Sequence, residues 1–75
     1  MTKNDAKTRK HSVTLGGHST SVSLEDIFWQ ELKLVAASEK RSLNNLIAEI
    51  DRNRQNNLSS TLRVYVLAHL KRRAK

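Results

Sequence analysis

Apolar and polar positions along this chain change their period several times. Residues 1–10, MTKNDAKTRK, are polar and show no period, so a flexible basic arm is expected there, with the folded domain over 11–75. From His11 to Ser23 the residues are short, β-branched or polar. Val13 and Leu15 alternate with Ser12 and Thr14; after Gly16-Gly17, Thr20 and Val22 alternate with Ser19 and Ser21. Period two marks a half-buried strand, and the apolar parity changes across the glycines, as a hairpin turn or a bulge permits. At least one short N-terminal strand follows, with the piece ending at Val22 the better candidate. Whether residues 11–17 complete a hairpin stays open at this point.

Helical spacing takes over next. Ser23 can cap a helix that starts with Leu24-Glu25-Asp26, where acids suit the positive end of the dipole. Leu24, Phe28 and Val35 fall on one line at 100° per residue. Ile27 and Leu34 flank that line on one side, Leu32 and Ala36 on the other, with Glu31 inside the arc. Such an arc is wider than one packing partner requires. After a break at Ser38 to Arg41, Ser42 caps a second helix whose Leu43, Leu46, Ile47 and Ile50 form a narrow stripe. A third helix starts between Asn57 and Ser59. Leu58, Leu62, Tyr65, Val66 and His69 make its stripe, and Val64, Leu67 and Leu70 widen it beyond one face.

A chain of 75 residues holds one domain and buries a modest share of its surface. Without cysteine it has neither disulfides nor thiolate metal sites, so a partner subunit is the expected support. The charged N-terminus does not resemble a secretory signal, and no apolar run approaches the ~20 residues that span a bilayer. A soluble cytoplasmic protein with no membrane partner is expected. The net charge of +7 is unevenly spread. Lys3, Lys7, Arg9 and Lys10 face a single acid, Asp5; residues 24–51 are net acidic; Arg52, Arg54, Arg63, Lys71, Arg72, Arg73 and Lys75 have no acid among them. Cations gathered toward both ends point to a polyanionic partner, nucleic acid first.

A single strand needs a partner for its backbone groups, and a second copy of the same strand is the simplest supply. Two such strands would form a ribbon narrow enough for the major groove of DNA. With a capped helix at Ser23-Leu24-Glu25 and then Arg41-Ser42-Leu43-Asn44 leading into Leu46-Ile47, the chain resembles the ribbon-helix-helix repressors. Asn57 to Arg63 resembles the third helix of a short bacterial branch of that family, and the likeness covers roughly residues 10–70. The resemblance implies a mainly α fold with one short N-terminal strand, an intertwined homodimer with an intermolecular two-stranded antiparallel ribbon, and a third C-terminal helix. It implies a dimeric transcriptional regulator, expected to be a repressor, with DNA and itself as partners.

By position, Ser19 and Ser21 would meet base edges, while Ser42, Leu43 and Asn44 would hold phosphate at a positive helix end. Lys7, Arg9 and Lys10 of the arm would add phosphate contacts. Two departures stand out. The ribbon lacks Arg, Lys, Gln or Asn for bidentate base contacts, which argues against strong sequence selectivity. Lys40 stands where a glycine often ends the first helix. The alternative reading is an antitoxin of this fold whose C-terminal part seizes a toxin, although the helical period there favours a folded element. A basic amphipathic membrane-surface helix fits less well, because the cations cluster at one end of helix three. His11, His18 and His69 lack metal-ligand spacing, and no nucleophile motif is present, so no metal, no cofactor and no enzyme activity are expected. Trp29, at the edge of its helix's arc, is read as packing rather than as a stacking platform for a base.

Overall fold

The computed structural model describes residues 7–73. In it the alternating stretch forms two strands, β1 (Thr8–Leu15) and β2 (His18–Glu25), paired antiparallel from Leu15 with His18 to Thr8 with Glu25. Gly16 and Gly17 make the turn with φ of 58° and 83°. Positive φ at both central positions matches the twist of the flanking strands, and only glycine adopts it without strain. The change of apolar parity therefore comes from a tight turn and not from a bulge. Residues 1–6 of the expected arm lie outside the described residues, and Thr8, Arg9 and Lys10 belong to β1.

The hairpin corrects one inference from the sequence. The ladder expected from a second copy is closed within the chain, so the two-stranded ribbon here is intramolecular. His11 to Leu15 contain too few large apolar residues to mark a second strand by composition alone. What marks it is the Gly-Gly pair between two runs of matching alternation.

Three helices follow: α1 (Asp26–Ser38), α2 (Leu43–Arg52) and α3 (Leu58–Arg73). α1 starts later than Ser23. Leu24 is fully buried as part of the strand register, and Glu25 takes the cap position without a side-chain capping bond. Its carboxylate instead accepts from Arg63 of α3, with Nε to Oε1 at 2.8 Å and Nη2 to Oε2 at 3.3 Å. Arg63 holds the Glu25 carboxyl below its ordinary range. The contribution of the pair is thus present above that range and is lost as pH falls through the lowered value.

α1 ends on a left-handed residue. Lys40 has φ of 57°, the Lys40 N–H donates to the Ala37 carbonyl and the Arg41 N–H to the Ala36 carbonyl, each at 3.1 Å. This is the closing pattern that glycine usually supplies, here with a β-carbon in place. α2 is capped by Ser42, whose hydroxyl accepts from the Asn45 N–H at 3.0 Å. Asn57 caps α3, its side chain accepting from the Ser60 N–H at 2.9 Å.

The core lies between the inner face of the hairpin and the three helices. Leu24, Leu32, Ile47 and Leu62 have no exposed surface, and Val13, Val22, Val35, Ala36, Leu46, Ile50 and Val66 join them. The narrow stripe of α2 is buried at Leu46, Ile47 and Ile50 and half-buried at Leu43. The wide arcs are only partly covered. α1 buries its Leu32 and Ala36 side and leaves Ile27 and Leu34 exposed; α3 leaves Val64 and Leu67 exposed. Trp29 packs against the core and stacks on His11, ring centroids 3.9 Å apart, which accounts for both residues as packing. Glu31 is half-buried, and its Oε2 is buried without a hydrogen-bond partner.

Candidate nucleic-acid interface

Strand alternation divides the hairpin into two faces. Val13, Val22 and Leu24 turn toward the helices and are buried. The opposite parity sets Lys10, Ser12 and Thr14 on β1 beside Ser23, Ser21 and Ser19 on β2, since these residues are cross-strand partners. Ser19 and Ser21 are exposed there, as expected, and so are Lys10, Ser12 and Thr14. The result is an outer face of hydroxyls with one lysine. Sequence reasoning misses Ser12 and Thr14 as candidate residues, because β1 is only weakly marked as a strand. Their register against Ser21 and Ser19 is nevertheless implied once the glycines are taken as a two-residue turn.

The start of α2 adjoins this face. A helix start presents N–H groups that the helix itself cannot satisfy. Ser42 takes the one from Asn45, which leaves those of Leu43 and Asn44. Asn44 is exposed, and its Oδ1 accepts from the Thr14 N–H at 3.4 Å, joining the start of α2 to the outer edge of β1. Leu43 instead turns its side chain toward the core, so only its backbone is available to a ligand.

Arg41 is built into the same corner. Its Nη2 donates to Glu49 Oε2 at 2.7 Å and to the Asn45 carbonyl at 3.1 Å, and its Nε donates to Asn45 Oδ1 at 2.8 Å. A further bond runs from Nη1 to Glu39 at 3.2 Å. Arg41 thereby lowers the Glu49 pKa, and its own is raised, chiefly by Glu49. The arginine of the Arg-Ser-Leu-Asn tetrapeptide thus fastens the first turns of α2 and is not held out for a ligand. Spacing on the helix, with Asn45 and Glu49 four and eight residues beyond Arg41, carries this signal.

The basic candidates near the N-terminus separate. Lys10 lies on the outer hairpin face beside Ser23. Arg9 has the opposite parity, across from Leu24, and its Nε pairs with Asp26 at 3.1 Å. It therefore stands apart from the serine face. Lys7 precedes β1 and is exposed; its carbonyl accepts from the Asp26 N–H at 3.1 Å. Among the described residues no three His, Cys, Asp or Glu side chains gather closely enough to share a metal ion. None of the described helices is long and apolar enough to cross a membrane.

Comparison with known proteins agrees with this arrangement. Residues 8–70 match the ribbon-helix-helix domain. Among solved structures, the chain is similar to an uncharacterized protein from Bordetella pertussis Tohama I, at 29% identity with a TM-score of 0.85. That alignment covers 99% of this chain and 64% of the other, so this chain spans less than two thirds of the length of the protein it resembles. No curated protein matches it.

Proposed function

The chain belongs to the ribbon-helix-helix family, and on that premise we propose that it is a dimeric transcriptional regulator, acting as a repressor, whose hairpin enters the major groove of DNA. The family is a regulatory DNA-binding fold, not an enzyme family, and its members generally bind DNA and dimerise. The observation that carries the proposal is the junction of the hydroxyl-bearing hairpin face with the free N–H groups at the start of α2, through Asn44 and Thr14. Ser19 and Ser21 read base edges; Ser12 and Thr14 flank them; Leu43 and Asn44 hold phosphate through backbone N–H groups, with Ser42 shaping the turn. Lys7 and Lys10 add phosphate contacts, and Arg9 does so only by giving up Asp26. Such a protein acts in the cytoplasm.

Dimerisation has its own support. Ile27, Glu31 and Leu34 share one side of α1, where two exposed apolar side chains flank a carboxylate with a buried, unpartnered oxygen. A second copy would cover the apolar surface and supply a donor. The toxin-binding alternative gains nothing from α3, which is helical through Arg73. Selection of bound fragments from a random duplex pool, with sedimentation at micromolar concentration, tests the reading. A palindromic consensus bound by a species of twice the chain mass is expected. Absence of any enriched sequence would remove the regulator, and a folded monomer would remove the dimer.

A further inference from the structure

Some cations of this chain are held by its own carboxylates; others, Lys7, Lys10, Lys33, Lys40 and Arg52 among them, form no ion pair among the described residues. Arg9, Arg41, Arg54 and Arg63 each hold a carboxylate of the same chain, at distances from 2.6 Å for Arg54 to 3.2 Å for Arg41 with Glu39. Lys71, Arg72 and Arg73, the last turn of α3, are exposed and form no ion pair among the described residues. A cation near a helix C-terminus complements the dipole, but that effect fades within one turn and does not call for three in succession.

Their surroundings make the cluster harder to explain as a solvated helix end. Glu49 of α2 and Asn53, its C-cap, line one groove with Thr61 and Tyr65 of α3. Arg73 and His69 line a second groove with Leu34, Val35 and Ser38, at the end of α1. Lys40 stands in the same corner. Arg73 thus stands beside the corner between α1 and α2, where Glu39 and Glu49 are both already bound by Arg41. Like charges gathered in this way repel one another unless an anion lies among them.

We propose that the last turn of α3, Lys71-Arg72-Arg73, is a second phosphate-gripping surface, beside the corner between α1 and α2, that takes the DNA backbone flanking the hairpin contact. The inference rests on the DNA-binding reading and extends it to an element outside the ribbon and the two helices that name the family. Phosphate contacts position the duplex and release counterions, so this surface adds affinity and salt dependence without sequence preference.

Replacing the three residues together (K71Q, R72Q and R73Q in the full chain) should weaken binding to every duplex by a similar factor. It should also flatten the slope of log affinity against log salt by about 0.9 for each phosphate that is no longer neutralised. The ratio between a selected duplex and a scrambled one should stay within twofold. A second variant that removes equal charge elsewhere (K33Q, R52Q and R54Q) should change the slope far less. Wild-type and variant salt curves that superimpose would overturn the clamp and leave the DNA reading standing; so would equal flattening by both variants, which would mean that only net charge matters. Wild-type chain that binds no duplex at low salt would overturn the DNA reading and the clamp with it.

Discussion

The outer face of the hairpin is joined to the start of α2 by the Thr14 to Asn44 hydrogen bond, yet this face differs in chemistry from the start of α2 and the end of α3. The hairpin face offers Ser12, Thr14, Ser19 and Ser21, neutral hydroxyls set by a rigid turn, and one lysine. The helix ends offer backbone N–H groups, Lys40, and Lys71, Arg72 and Arg73 of α3, which form no ion pair among the described residues. Hydroxyls carry little affinity but can follow the pattern of base edges; charge carries affinity but no pattern. On the proposed reading, a chain with so polar a ribbon would take most of its DNA-binding energy from the helix ends. Of the cations already committed to carboxylates, Arg9 ties β1 to the start of α1 and Arg63 ties α3 to the end of β2, while Arg41 and Arg54 brace the two ends of α2.

The comparison can be broken most severely at the base of the hairpin. Leu24 is fully buried where β2 meets the helices. Leu24→Ala should cost about 2–5 kcal/mol, a large share of the stability of so small a domain. Urea unfolding should show a lower midpoint, and selectivity between duplexes should fall before non-specific binding does. A stability loss under about 1 kcal/mol would mean that the hairpin is anchored elsewhere. A smaller change of the opposite sign is expected at the other surface. Lys40 occupies a left-handed conformation with a β-carbon present. Lys40→Gly should therefore stabilise the chain by up to about 1 kcal/mol, raising Tm by several degrees in a thermal melt. Because it also removes a cation from the corner at α2, it should slightly flatten the salt dependence of binding. A lower Tm would contradict the presence of strain at Lys40.

How much of this is legible in the sequence depends on the kind of signal each element carries. The α2 stripe is fully readable, because four apolar residues at helical spacing admit one buried face and Ser42 is a strong cap. Ser19 and Ser21 are placed outward by alternation with Val22 alone. Sequence reasoning starts α1 two residues early, because Ser23 has capping chemistry while the tertiary burial of Leu24 keeps the chain extended. It underestimates the partner strand, since Thr8 to Ser12 carry charge and polarity that disguise a strand held mainly by backbone bonds. It groups Arg9 with the arm because charge, unlike parity, does not reveal that a residue faces an acid at a helix start. The approach of Arg73 to the end of α1 depends on the tertiary packing of α3, which local periodicity cannot supply.

The division of labour itself is open to one direct measurement: binding of Ser21→Ala and Asn44→Ala to a selected duplex, and to duplexes mismatched at single positions, across a range of salt. Ser21→Ala should lose discrimination at one position per half-site, by about 0.5–1.5 kcal/mol, with an unchanged salt slope. Asn44→Ala should weaken every duplex by a similar factor, because it loosens the start of α2 from Thr14 where phosphate is held. Uniform weakening by Ser21→Ala together with a position-specific loss by Asn44→Ala would contradict the account, placing sequence reading at the helix and grip on the strand.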